Sequence, residues 1–196
     1  MQTTTLSFAN LHNHGELFAN YLRARRELFI VHNKWDLPEA MGMEYDQYDT
    51  PASRWVVVHD ELGRVLAGNR LTPTTTKCGM YTYMIRDAQR GLLDTIPDSL
   101  LFAEAPVAEN IWESSRLFVS HDVPMSERRK VHAKLVDELG RAARRLGATH
   151  CLTLLNANWP RWCGRVGIKM EAMGPVMNIE NVDNQVVSMD FTSALH

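Results

Sequence analysis

The stretch that decides the fold runs from residue 111 to 145, IWESSRLFVSHDVPMSERRKVHAKLVDELGRAARR. Its opening, 111–120, has the apolar ribs of a buried strand but carries Glu113, Ser114, Ser115 and Arg116 in its middle. Removing an ion from water costs several kcal/mol unless it is paired. Charge in a core strand therefore needs partners or a task. HDVP closes the strand, and Ser126 is placed to cap a long helix reaching about Gly147. Val131, Leu135, Leu139, Ala142 and Leu146 recur at helical spacing as its apolar stripe.

Working outward, residues 3–8 suit a short strand and about 16–31 an amphipathic helix. A long polar connection, 32–50, follows. Residues 54–74 read as a hairpin turning at Glu61-Leu62-Gly63. YMIRDAQRGLLDTIP holds a short helix ending near Pro97. HCLTLLN is a buried strand, WPRWCGRVG a short helix, and KMEAMGPVMNI and NQVVSMDF are strands. This order predicts an α+β fold, a three-layer α/β/α sandwich around a mixed sheet.

The 196 residues, 45% hydrophobic and 22% charged, suit one domain with a substantial core. A formal charge of -2 gives no global attraction to nucleic acid or membrane. Cys78, Cys151 and Cys163 are odd in number and contain no CxxC, so they read as reduced thiols. His12 and His14 lack a third ligand, and no metal is expected. The start, MQTTTLSFANLHNHGEL, has no signal-peptide pattern, and no stretch approaches the roughly 20 apolar residues of a membrane span. A cytoplasmic protein is expected.

Loops longer than about 12–15 residues are usually functional or disordered, and 32–50 is rich in Trp, Tyr, Asp and Glu. Asp46 and Asp49 can pair there with arginines of the preceding helix, with Arg70, or with a cationic ligand. Arg25, Phe29, Trp35, Asp46 and Asp49, in that order and spacing, resemble the N-terminal signature of the acyl-homoserine lactone synthases, the LuxI-type autoinducer synthases. The resemblance continues through AGNRLTPT with Arg70, YMIRD, and IWESSR with Glu113, Ser115 and Arg116. Thr153 stands fourteen residues before Gly167, similar to the family's spacing beyond the long helix.

The resemblance covers about residues 20–170. It implies a GNAT-like mixed sheet with the long helix packed on it. The domain would span 1–196, with an S-adenosylmethionine (SAM) part over about 1–75 and an acyl and carrier part over about 76–196. It also implies that SAM, a substrate and not a cofactor, is acylated from a thioester on acyl carrier protein or CoA and then lactonised, releasing methylthioadenosine. Glu113 is then the candidate base for the SAM amine, with Arg116 and Ser115 beside it; Ser115 is not expected to be a nucleophile, since no GxSxG elbow surrounds it. Trp35 and Phe29 offer aromatic faces to the sulfonium or adenine. Asp46 suits the amine, Arg25 or Arg70 the carboxylate, and Asp49 completes the charged set. The same ions also read as a salt-bridge network shaping the N-terminal lobe, and both readings stand.

SERRKVHAKLVDELGRAARR holds seven Lys/Arg against three Asp/Glu. Such a helix is a solvated face or, with Arg128, Arg129, Lys130 and Lys134, a landing site for an acidic acyl carrier protein. Leu117, Val119, Leu152, Thr153, Leu154 and Met177 are the candidate acyl pocket, and Trp159 and Trp162 are bulky additions that would shape it. Thr153 occupies the family position associated with 3-oxo chains. Two rival readings are a GNAT-type N-acyltransferase using acyl-CoA and a non-catalytic module binding SAM or a carrier protein. VPMSERRK lacks the glycines of the GNAT pyrophosphate loop, and intact Glu113 and Arg116 argue against the second.

Overall fold

The computed structural model describes residues 1–161 and 167–192. They fall into two compact units, Met1–Leu71 with Arg116–Ala142, and Thr72–Ser115 with Ala143–His196. In chain order the elements are β1 (Gln2–Leu6), α1 (Leu17–Arg26), a π-helical turn (Glu27–His32), β2 (Glu39–Ala40), β3 (Met43–Glu44), β4 (Arg54–His59) and β5 (Val65–Pro73). Then come α2 (Met84–Gln89), β6 (Ile111–Val119), α3 (Met125–Arg145), β7 (His150–Asn156), β8 (Lys169–Ala172), β9 (Met177–Ile179) and β10 (Val182–Asp190). The fold is α+β, with a mixed sheet of eight strands and a separate two-stranded hairpin, β2–β3, among the described residues.

In the first unit β4 pairs antiparallel with β1 and β5, so that Leu6, Trp55 and Arg70 share one face. Leu17, Tyr21 and Leu22 of α1 join Leu6, Trp55, Val57, Phe29 and Phe118 in one core cluster. Gly68 admits the helix to this core. A Cβ there would sit 2.5 Å from Tyr21 Cε2 and 3.0 Å from Phe118 Cε1. Val131, Leu135, Leu139 and Ala142 of α3 are buried, as their spacing predicts, and Leu146 is half-buried.

In the second unit β7 runs antiparallel to β10, which also pairs with β8 and β9. β6 and β7 are parallel from Ile111/His150 to Glu113/Leu152, and both strands continue past that last pair. β6 meets β5 through Ser120 N–H on Leu66 O in the first unit and Thr74 N–H on Ile111 O in the second. Between those bonds β5 advances eight residues and β6 nine, so β6 carries one extra residue, a β-bulge. Arg116 marks it with a left-handed φ of 54°. Trp112, Cys151, Leu152, Val187 and Met189 are buried here, Cys78 is exposed, and Cys163 lies outside the described residues.

Several expected boundaries shift. The predicted helix over 16–31 is α-helical only to Arg26 and widens to the π-turn beyond it. The long connection is not structureless, since it contains β2 and β3. The short helix expected to end near Pro97 stops at Gln89. Gly91, at φ 70°, lets its own N–H and that of Leu92 return to the carbonyls of Ala88 and Asp87. Ser126 lies inside α3 and does not cap it, because the helix begins at Met125 and the first amides bond Pro124 O. The helix expected over WPRWCGRVG starts over 159–161, while Trp162 lies outside the described residues. Among the described residues no helix is long and apolar enough to cross a membrane.

Gly68→Ala should destabilise the protein by about 1–3 kcal/mol, the usual cost of overpacking a filled core. A lower urea midpoint at unchanged slope checks this, and an unchanged midpoint would show that Tyr21 can yield.

Candidate active site

Three arginines and three carboxylates close a ring inside the first unit. Arg25 Nε meets Glu44 Oε2 at 2.5 Å and its Nη1 meets Asp49 Oδ1 at 2.8 Å. Asp49 Oδ1 also takes Arg70 Nη1 at 3.1 Å, and Arg70 reaches Asp46 Oδ1 at 2.5 Å and Oδ2 at 3.2 Å. Arg116 Nη2 returns from Asp46 Oδ2, at 3.0 Å, to Glu44 Oε1, at 3.2 Å. Charges alternate around the ring, and each ion touches two of opposite sign.

Local structure explains how each member arrives. Arg25 continues the buried face of α1, one turn after Tyr21. The short β2–β3 hairpin delivers Glu44. Asp46 and Asp49 form a polar turn, in which Asp46 accepts Tyr48 N–H and Asp49 accepts Asp46 N–H. Asp49 accepts the Trp55 indole N–H at 2.9 Å as well. Each guanidinium also lies over an aromatic ring: Arg25 over Tyr21, Arg70 over Tyr48 and Arg116 over Phe29, all at 5.5–5.6 Å. Phe29 in turn stacks on Trp35, centroids 5.0 Å apart and planes 7° from parallel, leaving Trp35 38% exposed.

Burial alone would raise the pKa of Asp46, yet Arg70 and Arg116 outweigh it and the carboxyl sits below its usual range. Asp49 behaves alike, burial being overcome by Arg70 and Arg25. Arg25 and Arg70 move upward, because carboxylate neighbours more than offset the burial that disfavours their charge. Removing one partner from such a buried set leaves an ion uncompensated and typically costs 3–5 kcal/mol.

The structure thus brings together Arg25, Asp46, Asp49, Arg70 and Arg116, with Phe29 and Trp35 attached through stacking. Sequence reading missed Glu44. The one hint in the chain is that EYDQYD contains a third acid beside Asp46 and Asp49.

Glu113 and Ser115 belong to the second unit, on the same strand as Arg116. Glu113 is fully buried, and its carboxylate accepts the N–H groups of Ile85 at 2.8 Å and Met84 at 3.3 Å, the first amides of α2. Ser115 is buried. Tyr83 donates to Pro106 O at 2.6 Å, and its pKa is pushed up by burial and then by the Glu113 charge.

Among acyl-pocket candidates, Leu152 and Leu154 share the face of Glu113 by register, whereas Thr153 points to the other. Met177 is buried beside Asn184 across the strand pair. Half-buried Trp159 donates its indole N–H to Gln185 at 2.7 Å. Leu117 and Val119 are half-buried in the first unit. On α3, Arg129 and Lys130 are exposed and Lys134 half-exposed, but Arg128 folds back onto the carbonyls of Ser120 and Val119.

This architecture is one that N-acyltransferases share. An acyl-CoA N-acyltransferase from Pseudomonas aeruginosa superposes with a TM-score of 0.61 at 18% identity, over 96% of this chain and 99% of that one. The chain itself belongs to the autoinducer synthase family of acyltransferases, whose model matches residues 9–195. It is 26% identical over 159 residues to an acyl-homoserine-lactone synthase of Vibrio anguillarum, covering 80% of this chain and 76% of the relative. A synthase of Acinetobacter nosocomialis is 26% identical over 179 residues, 88% of this chain and 91% of the relative. Solved structures with the same fold include TofI, in a ternary complex with an inhibitor and MTA, at TM-score 0.78 and 23% identity over 100% of this chain and 94% of TofI. BjaI, a CoA-dependent acyl-homoserine lactone synthase with SAM and isopentyl-CoA, gives 0.76 and 21% over 95% of this chain and 82% of BjaI.

Asp46 and Asp49 titrate in the folded state below their unfolded value of about 3.9. Groups depressed in this way contribute stability that is present above the unfolded pKa and lost as pH falls towards the folded one. Stability should therefore be flat in these two groups above about pH 5 and fall below about pH 4, by up to about 2.7 kcal/mol per pH unit for two protons. Urea midpoints taken down the acid limb test this, and a limb without that fall would remove the ring from the acid response.

Proposed function

We propose that the protein makes N-acyl-L-homoserine lactone from SAM and an acyl-thioester. The observation that carries this reading is the closed, charge-neutral ring, five of whose six members stand at positions that resemble the family's signature. Its members are already paired, so recognition falls to its rim. Arg116 keeps 11% of its side-chain surface open and Asp46 and Asp49 7% each, against 0% for Arg25, Arg70 and Glu44. Arg116 suits the SAM carboxylate, and the open face of Trp35 the sulfonium or adenine.

Chemistry then needs two steps. Glu113, held rigid by the α2 amides, takes a proton from the ammonium, directly or through water, and the freed amine attacks the thioester carbonyl. The thiol leaves. In the second step the SAM carboxylate displaces methylthioadenosine from the γ-carbon. The sulfonium is a good leaving group, so the protein need only hold the chain curled and in line.

Purified protein with SAM and a panel of acyl-thioesters, on carrier protein and on CoA side by side, should release methylthioadenosine and an acylated lactone, read by mass spectrometry. An acylated amine without methylthioadenosine would favour a plain N-acyltransferase instead. Arg129 and Lys130, exposed on α3, are the docking charges for an acidic carrier. Reversing both to Glu should raise the KM for a carrier-bound donor by roughly tenfold and leave the KM for SAM alone. An unchanged donor KM would remove the docking role.

A further inference from the structure

Thr72 is fully buried on β5, and its hydroxyl has no hydrogen-bond partner among the described residues. Leaving a buried hydroxyl unsatisfied usually costs about 1–3 kcal/mol, and valine would fill the same space without that cost. The position of Thr72 suggests what the hydroxyl is for. Thr74 N–H, one residue past the end of β5, bonds Ile111 O at the start of β6. Two residues further along each strand, Thr72 stands opposite Glu113, with both side chains on one face. Such cross-strand pairs hold their Cβ atoms about 4.5–5.5 Å apart. Counting from that bond, the pair precedes Arg116, the residue of β6 with a left-handed φ of 54°. The two groups make no direct hydrogen bond, and one bridging water can join a hydroxyl and a carboxylate held at that cross-strand spacing.

We infer that Thr72 is a positioning residue for Glu113, its hydroxyl and that carboxylate together orienting one water that relays the proton of the substrate amine. The inference rests on the synthase reading. Thr72 donates to the water oxygen and the water donates to Glu113, which leaves a water lone pair to accept from the ammonium. As the ammonium N–H proton passes to the water, the water's own proton passes to Glu113. The nitrogen lone pair is left free for the thioester, and nothing is oxidised or reduced. A hydroxyl is needed for this, and the Thr72 methyl is not.

The test compares Thr72→Val and Thr72→Ser with the wild type, using SAM and whichever acyl-thioester the wild type consumes. Thr72→Val should lower kcat at neutral pH by about tenfold or more, a part of the roughly 10²–10⁴-fold that a positioned acid–base group contributes, while the KM for SAM changes less than about twofold. Its activity should recover as pH rises towards the amine's own pKa of about 8, where solvent can take the proton. Thr72→Ser should restore most of kcat, and thermal melting should show Thr72→Val folded and no less stable. A Thr72→Val enzyme with wild-type kcat, or Val and Ser variants that lose activity equally, would overturn the assignment while leaving the synthase intact. A wild type that forms no lactone would overturn the synthase reading itself.

Discussion

Arginine cannot shed its proton inside a protein, so two fully buried guanidiniums and a third left 11% open oblige the first unit to supply three anions. That constraint organises everything near the candidate site. Arg25 comes from α1, Glu44 from the β2–β3 hairpin, Asp46 and Asp49 from one turn, Arg70 from β5 and Arg116 from β6. Each ion binds two counterions, so losing any one opens the ring on both sides. The connection over 32–50 is exposed along most of its first part and owes its order largely to these contacts.

Neutrality of the ring suits a substrate that carries a sulfonium, an ammonium and a carboxylate at once. A site with net charge of either sign would repel one end of that molecule. The aromatic rings beneath the guanidiniums add to the rigidity, and Phe29 links Arg116 to Trp35 through one stack. Charged groups held in place before the substrate arrives need little reorganisation during the reaction.

In the second unit the corresponding anchor is Glu113. A carboxylate buried in a strand would be costly on its own, and the first two amides of α2 compensate it. A glutamate on β6 thereby sets the start of α2, and the helix end fixes the orientation of the glutamate. One strand carries both features: its first half presents Glu113, and its second half begins with Arg116, at a left-handed φ of 54°, the cation that closes the ring.

Much of this was legible in the chain. Helical spacing identified α1 and the stripe of α3, β-branched runs identified the 54–74 hairpin, and charge inside an apolar segment singled out Glu113 and Arg116 as residues with a task. Those signals are local, arising from periodicities of two and 3.6 residues. Pairing between ions is not local. Whether Arg116 answers Glu113, three residues away, or Glu44, seventy-two residues away, depends on the direction each side chain takes after the strand bends. Glu44 itself carries no spacing signal, because its importance comes from two cations, Arg25 and Arg116, delivered by other elements. Sequence determined which segments form helices and strands and which charges are too costly to be idle. Only the tertiary structure decided which charges meet, since partner choice follows from β-sheet register, a one-residue bulge and the close approach that Gly68 allows α1.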